Sequence, residues 1–129
     1  MPDNKLLDKA AAIEMIGGDE DVYDSILETF VEVYCKDISQ THPVKTVLTI
    51  EPQDIFKNET VRQEAHKIKG AAYTVGAYAL GDAALKIEQF VNNSQDGKIE
   101  DSSDTEQTAA SILDEFREVY KKTINLIKQ

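Results

Sequence analysis

The sequence predicts an all-α protein: an up-down-up-down antiparallel four-helix bundle with a short additional N-terminal helix. Apolar residues recur at spacings of three and four along most of the chain, the period of an amphipathic helix. No Asn-Gly or Asp-Gly turn lies between two alternating runs, so strand hairpins are not indicated. The connections between helical segments are short, which favours antiparallel neighbours. The length of 129 residues predicts one domain over residues 1–129.

A pair of glycines separates the first two predicted helices. The first helix is expected over residues 3–15, and Gly17-Gly18 ends it. Asp19 is placed to cap the second helix, and acidic residues follow it where the helix dipole favours them. The second helix is expected to run for at least about five turns. Its apolar positions are Val22, Ile26, Leu27, Phe30, Val33, Tyr34 and Ile38.

Pro43 interrupts the helical pattern. A proline inside a helix removes a hydrogen bond and clashes with the preceding turn. Because the apolar spacing resumes directly after it, either a kink or a restart of the helix is expected, with His42 as a capping or turn residue. Residues 51–54 are predicted to form a loop. The next long helix is expected over residues 58–75, and Gly76 closes it.

Two further helices complete the predicted bundle. The first of them is expected over residues 78–91, and the polar residues 92–102 are expected to form a loop. Ser103 followed by Glu106 has the spacing of a capping box at the start of a helix. The last helix is predicted to extend from there through Ile127.

Composition excludes several classes of function. The formal net charge of −10 argues against a nucleic-acid partner, because phosphate backbones are bound by lysine and arginine. No apolar run approaches the ~20 residues needed to cross a bilayer. Residues 1–10 lack the apolar core of a signal peptide, so a cytoplasmic location is expected. Cys35 is the single cysteine, which excludes an internal disulfide, and it is expected in the core.

The segment around His66 carries the chemical signal. On a helix, His66 lies one residue away from a stripe of core positions formed by Ala65, Ile68, Ala72 and Val75. It should therefore be at least partly exposed. The residues that share its face at helical spacing are Arg62, Lys69, Gly70 and Tyr73.

A histidine with these neighbours is suited to phosphoryl chemistry. Neutral imidazole is a competent nucleophile near pH 7, since its unperturbed pKa is about 6.5. Lys69, one turn along the helix, can pair with the oxygens of a phosphoryl group on the ring. Arg62, Lys67 and Lys69 form a local basic patch on an acidic chain, which would suit an acidic partner site. A surface histidine taken alone is more often a solvated residue.

Gly70 is an unusual residue for the middle of a helix. Glycine there costs roughly 0.5–1 kcal/mol relative to alanine. One explanation is that a partner must approach the backbone beside His66 without meeting a Cβ atom. The alternative is that a neighbouring helix packs tightly at this point. The sequence alone leaves both explanations open.

These residues carry a resemblance to a known family. The run His66-Lys67-Ile68-Lys69-Gly70, followed by Val75-Gly76-Ala77, closely resembles the signature of histidine-containing phosphotransfer (HPt) domains. That signature is a histidine, two residues, Lys-Gly, and a hydrophobic-Gly pair further on. The run Ile16-Gly17-Gly18-Asp19, followed by Phe30, resembles the opening of the family. The resemblance covers roughly residues 11–91, and the last helix fits the bundle.

The resemblance implies a role in a two-component phosphorelay. His66 would accept a phosphoryl group from an aspartate of a receiver domain and pass it to another receiver, while Lys69 stabilises the group. The protein would be a phosphoryl carrier rather than an enzyme, with no cofactor of its own, because the receiver brings Mg²⁺ and most catalytic groups. Its expected partners are response-regulator receivers and a hybrid sensor histidine kinase, and a monomer is expected. The expected partner-binding residues are Gly70, Arg62, Lys67 and Tyr73.

One position departs from the family pattern. Many members place a glutamine on the following helix, where it hydrogen-bonds the histidine ring. The matching position here is Glu88, with Gln89 beside it. A glutamate could accept the Nδ1 proton and orient Nε2 for attack, and it would repel a phosphoryl group that came too close. Either residue is therefore a candidate for orienting the ring.

Two other interpretations compete with phosphotransfer. One is a helical adaptor that binds receivers without being phosphorylated, although the intact His66, Lys69 and Gly70 argue against it. The other is a stand-alone enzyme, but the sequence has no Gly-rich phosphate loop, no His or Cys cluster for a metal, and no serine nucleophile motif. A complete kinase is excluded because no nucleotide-binding half is present. A separate protein is expected rather than a piece of a hybrid kinase.

Overall fold

Helices make up most of the structure, a computed structural model that describes residues 6–36 and 41–128. Within those ranges there is no strand, so the all-α prediction is confirmed. The helices are α1 (Lys9–Met15), α2 (Glu20–Tyr34), α3 (Lys45–Thr49), α4 (Glu59–Val75), α5 (Tyr78–Gln95) and α6 (Ser103–Ile127), and a 3₁₀ turn spans Pro52–Asp54.

The four long helices pack as the predicted antiparallel bundle. Only Gly76 and Ala77 connect α4 to α5, so the two helices run in opposite directions with the most extensive packing in the molecule. The start of α2 lies at the end of α4, where the Tyr23 hydroxyl donates a hydrogen bond of 2.7 Å to the Val75 carbonyl oxygen. At the other end of α2, the Tyr120 hydroxyl of α6 donates to the carbonyl oxygen of Tyr34.

The core follows the stripe predicted for α4. Val61, Ala65, Ile68, Ala72 and Val75 are all buried, and they face apolar side chains from α2, α5 and α6. The inward positions of the neighbouring helices include Tyr23, Phe30, Leu80, Ile87, Leu113 and Phe116. Cys35 is buried as expected. Because the α4 stripe is fixed inward, the residues beside it are presented to solvent.

The first two helices are shorter than predicted. Residues 1–5 lie outside the described chain, and the predicted helix is interrupted, because Leu6 is helical and Leu7 and Asp8 are not. Helix α1 therefore begins at Lys9, where the Asp8 carboxylate caps it by accepting a hydrogen bond of 3.0 Å from the Ala11 N–H. Asp19 caps α2 as predicted. That helix ends at Tyr34, about four turns after it begins. Ile38, which the prediction included, lies outside the described residues.

Pro43 precedes a restarted helix and does not kink a continuous one, because α2 has already ended at Tyr34. His42 serves as a turn residue, as expected, since its Nδ1 accepts a hydrogen bond of 3.2 Å from the Val44 N–H. Helix α3 then restarts at Lys45. Arg117 of α6 holds this segment by donating to the carbonyl oxygens of Val47 and Ile50.

The last two helices differ from the prediction at the end of α5 and at the cap of α6, while α5 begins at Tyr78 and α6 ends at Ile127 as predicted. Helix α5 continues through Gln95, about one turn beyond residue 91, because Ser94 is buried there and accepts a hydrogen bond of 2.8 Å from the Lys57 N–H. The capping box of α6 lies one residue earlier than predicted, between Ser102 and Thr105. Among the described residues, none of the helices is long and apolar enough to cross a membrane.

Candidate functional site

Helix α4 presents His66 to solvent near its middle. The neighbours Ala65 and Ile68 are fully buried, so the direction of the next side chain around the helix is fixed. The His66 side chain is 61% exposed, as its place beside the core stripe predicted. Asn58 caps the start of this helix and Gly76 closes its end, which holds the histidine on a rigid element.

A carboxylate from α5 holds one edge of the His66 ring. Glu88 Oε2 lies 2.6 Å from His66 Nδ1, and its other oxygen, Oε1, lies 2.6 Å from Lys69 Nζ. The Glu88 side chain is only 9% exposed, whereas that of Lys69 is 22% exposed. Tight packing of α4 against α5 brings these three side chains together. Of the two candidates for orienting the ring, Glu88 contacts it and Gln89 is exposed.

The Glu88 carboxyl is ionised by its partners. Burial raises its pKa, but hydrogen bonds from Lys69 and His66, together with their charges, outweigh burial and hold the pKa below its ordinary value. An ionised carboxylate can only accept hydrogen bonds, so Nδ1 of the ring carries a proton. In the neutral ring the lone pair is then on Nε2, the nitrogen that faces away from Glu88.

The lowered pKa of Glu88 predicts a pH-dependent contribution to stability. A group whose pKa is lower in the folded state stabilises the fold above its unfolded pKa of about 4.3, and this contribution is lost as the pH falls through the folded value. The difference in free energy of unfolding between wild type and Glu88→Gln should therefore be larger at neutral pH than in acid. Urea unfolding followed by circular dichroism measures it. A difference that is the same across this pH range would contradict the assignment.

Gly70 lies in open space one turn from His66. A Cβ atom added there would meet nothing within 4 Å outside its own helix, so tight helix packing does not explain the glycine. Of the two explanations left open by the sequence, room for an approaching molecule is the one that fits the structure.

An apolar groove lies between α4 and α2, and on α4 it begins at Ala71, next to Gly70. It has a volume of about 260 Å³, and the two helices line it on either side. Val33 is 40% exposed although the sequence pattern placed it on the apolar side of α2. The sequence indicated such an exposed apolar surface, because α2 carries more apolar positions than one buried helix face requires. The lining residues include Ile26, Thr29, Phe30, Val33, Ala71 and Thr74.

The comparison with protein families shows which family the chain belongs to. The model of the Hpt domain matches residues 25–120, which include His66, Glu88 and most of the bundle. The chain belongs to the Hpt domain family. Hpt domains are phosphoryl carriers that interact with receiver domains and kinases in phosphorelays. Neither the curated proteins nor the solved structures include a match to this chain.

Arg62 and Tyr73 were expected to contact the receiver. In the structure, each of them is hydrogen-bonded to another side chain of this Hpt domain. Arg62 donates from Nε and Nη2 to the Glu59 carboxylate at 2.7 and 2.6 Å, and this pairing is the main reason that the pKa of Glu59 falls to about 2. The Tyr73 hydroxyl donates to Asp82 at 2.8 Å. Its ring covers Gly81, where a Cβ atom would overlap it. Both side chains are therefore positioned by neighbours on the domain surface.

The basic patch around His66 is narrower than the sequence indicated. Lys67 is exposed beside the histidine, while the charge of Arg62 is compensated by Glu59 and that of Lys69 by Glu88. Within the described residues, no group of three or more His, Cys, Asp or Glu side chains is arranged to hold a metal ion.

Proposed function

We propose that this Hpt domain accepts a phosphoryl group on Nε2 of His66 from the aspartyl phosphate of a receiver domain and delivers it to the aspartate of another receiver. The observation that carries the proposal is the exposed ring whose Nδ1 is held by a buried carboxylate. That arrangement leaves the nucleophilic nitrogen directed outward and fixes the ring before a partner arrives, which reduces the ordering cost of reaction.

The His66 ring is the group of this chain that makes and breaks covalent bonds in the transfer step. The Nε2 lone pair forms a bond to phosphorus as the bond from phosphorus to the aspartate oxygen breaks, and the electron pair leaves with the carboxylate. Delivery is the reverse reaction on a second receiver. The receiver supplies Mg²⁺ and most catalytic groups, so the protein acts as a carrier. Lys69 provides a positive charge for the phosphoryl oxygens.

The receiver docks over the groove between α2 and α4. The groove is mainly apolar, and on α4 it is lined by Ala71, Thr74 and Val75, of which Thr74 lies one helical turn from Gly70. Met15 on α1 and Val22 on α2 are further exposed apolar side chains, and we assign them to the same docking surface. Lys67 is exposed next to His66 on α4, and its charge suits the acidic metal site of a receiver. We expect one copy of the chain to meet one receiver at a time, in the cytoplasm.

A two-step relay with native receivers tests the proposal. Wild-type protein is mixed with a receiver phosphorylated on its aspartate, and an acid-labile, base-stable label is expected on the protein. A second, unphosphorylated receiver is then added, and the label should move onto it. If receivers bind the protein but none of them transfers label, the domain is a receiver-binding adaptor and the proposal is wrong.

Gly70 offers a prediction that separates docking from chemistry. Gly70→Ala should raise the free energy of unfolding by about 0.5–1 kcal/mol, because alanine is the better helix former and meets open space. Gly70→Leu should slow transfer from a phosphorylated receiver about 5- to 150-fold, since overpacking at the interface costs about 1–3 kcal/mol. Phosphorylation by phosphoramidate, a small phosphoryl donor, should stay within about twofold of wild type.

Stopped-flow or quenched-flow transfer assays measure the Gly70 prediction, with urea unfolding for stability. Equal transfer rates from the receiver to wild type and Gly70→Leu would show that no partner approaches the backbone there.

A further inference from the structure

The Glu88 carboxylate has two partners that change charge in different ways during the proposed reaction. Before phosphorylation its Oε1 pairs with the Lys69 ammonium at 2.6 Å, and its Oε2 accepts the Nδ1 proton of a neutral ring at 2.6 Å. In this state Lys69 is the cation that contacts Glu88, because the ring at Oε2 is neutral. The carboxylate is nearly buried, so losing a counter-ion there would be costly.

Phosphorylation places a second positive charge against the same carboxylate. When Nε2 bonds to phosphorus and Nδ1 keeps its proton, the ring as a whole becomes cationic. That cation lies in direct contact with Glu88 Oε2, so it can replace Lys69 as the counter-ion. Lys69 Nζ is then free to leave Glu88 for the phosphoryl oxygens, which lie one helical turn away on the same face.

We propose that Glu88 keeps Nδ1 protonated in phosphorylated His66, exchanging Lys69 for the ring as its counter-ion, so that the phosphoryl group stays on a ring that can leave as neutral imidazole. This inference rests on the proposed function and concerns the charge of residue 88, beyond its role in orienting the ring. Glu88 is a positioning residue, because it acts through His66.

The proton on Nδ1 decides how easily the phosphoryl group departs. With the proton in place, the nitrogen–phosphorus bond breaks and its electron pair returns to Nε2, which leaves neutral imidazole. Without that proton the leaving group would be an imidazolate anion, a much poorer one. The charged side chains around the ring are Glu88 from α5, and Arg62, Lys67 and Lys69 from α4, with Arg62 held by Glu59. Of these, Glu88 is the one in contact with the ring that favours keeping the proton.

Glu88→Gln removes the charge and keeps the shape. A glutamine oxygen can still accept the Nδ1 proton, so ring orientation is retained while the counter-ion is lost. Glu115→Gln on α6 is the matched control, because it removes one carboxylate from an exposed pair with Lys86, outside the site. All three proteins are phosphorylated with phosphoramidate, which needs no receiver, and the donor is removed.

The measurement is the rate of phosphoryl loss to water and to an unphosphorylated receiver between about pH 6 and about pH 9. Wild type and Glu115→Gln should keep a nearly constant rate well above the pH at which a free ring titrates. The rate for Glu88→Gln should fall about tenfold per pH unit there, following the fraction of protonated ring. Nitrogen NMR of phosphorylated wild type gives a second readout, which does not depend on the folding of a variant, and Nδ1 should retain its proton over the same range.

Two results would overturn the inference. One is that the rates of wild type and Glu88→Gln depend on pH in the same way, even if they differ by a constant factor. A constant factor would indicate simple repulsion between Glu88 and the phosphoryl group. The other is loss of the Nδ1 proton from phosphorylated wild type near neutral pH. In both cases phosphohistidine has formed and the proposed function stands. If His66 takes no phosphoryl group from either donor, the proposed function itself is wrong.

Discussion

Replacing His66 with glutamine is expected to abolish phosphorylation of the protein completely, both by a phosphorylated receiver and by phosphoramidate. Glutamine has no lone pair on a basic nitrogen, so no nitrogen–phosphorus bond can form at this position. The side chain is mostly exposed and Glu88 keeps its pair with Lys69, so the free energy of unfolding should change by less than about 1 kcal/mol. Acid-labile label on the purified protein measures the effect.

The second histidine of the chain provides the matched control. His42 is buried, and its ring is held by the Val44 N–H, the Tyr34 carbonyl oxygen and the Tyr120 hydroxyl. His42→Gln is expected to lower stability and to leave labelling of the folded protein intact. Label retained on His66→Gln, or lost from folded His42→Gln, would contradict the assignment of the acceptor.

Replacing Gly76 with alanine is expected to give the largest loss of stability among single substitutions of glycine. Gly76 closes α4 in the left-handed region, with φ of 86°, and a Cβ atom there would overlap the carbonyl oxygen of Asp8. The neighbouring backbone cannot move away easily, because the Asp8 N–H donates to the Gly76 carbonyl oxygen at 2.9 Å. The free energy of unfolding should fall by about 2–5 kcal/mol, the sum of the conformational and steric costs.

Gly97→Ala separates these two costs. Gly97 also has a positive φ, of 73°, but a Cβ atom there meets open space. The expected loss is about 1–2 kcal/mol, from the backbone conformation alone. Equal losses for the two variants in urea unfolding would show that the contact between Gly76 and Asp8 contributes nothing.

The sequence predicted the bundle because the helical period is strong in every long helix. The stripe on α4 from Val61 to Val75 identified both the core and the exposed face of His66. Helix ends were less predictable, since they depend on contacts between distant residues. Helix α5 extends to Gln95 because Ser94 accepts a hydrogen bond from Lys57, and no local pattern in residues 92–95 indicates that contact.

The candidate site was predictable in its residues but not in its pairings. Spacing on one helix placed Lys69, Gly70 and Arg62 beside His66. It could not show that Arg62 is paired with Glu59, since several rotamers of a long side chain are compatible with one spacing. The choice between Glu88 and Gln89 depended on the rotation of α5 against α4, which is a tertiary property.

The most direct test of the central claim is to determine which atom carries the phosphoryl group after transfer from a receiver. Protein labelled with a nitrogen isotope in histidine is phosphorylated by a native receiver, and phosphorus–nitrogen NMR couplings identify the bonded nitrogen. The geometry at Glu88 predicts a bond to Nε2 of His66, with Nδ1 still carrying its proton. A phosphoryl group on Nδ1, on another residue, or on no residue would contradict the claim.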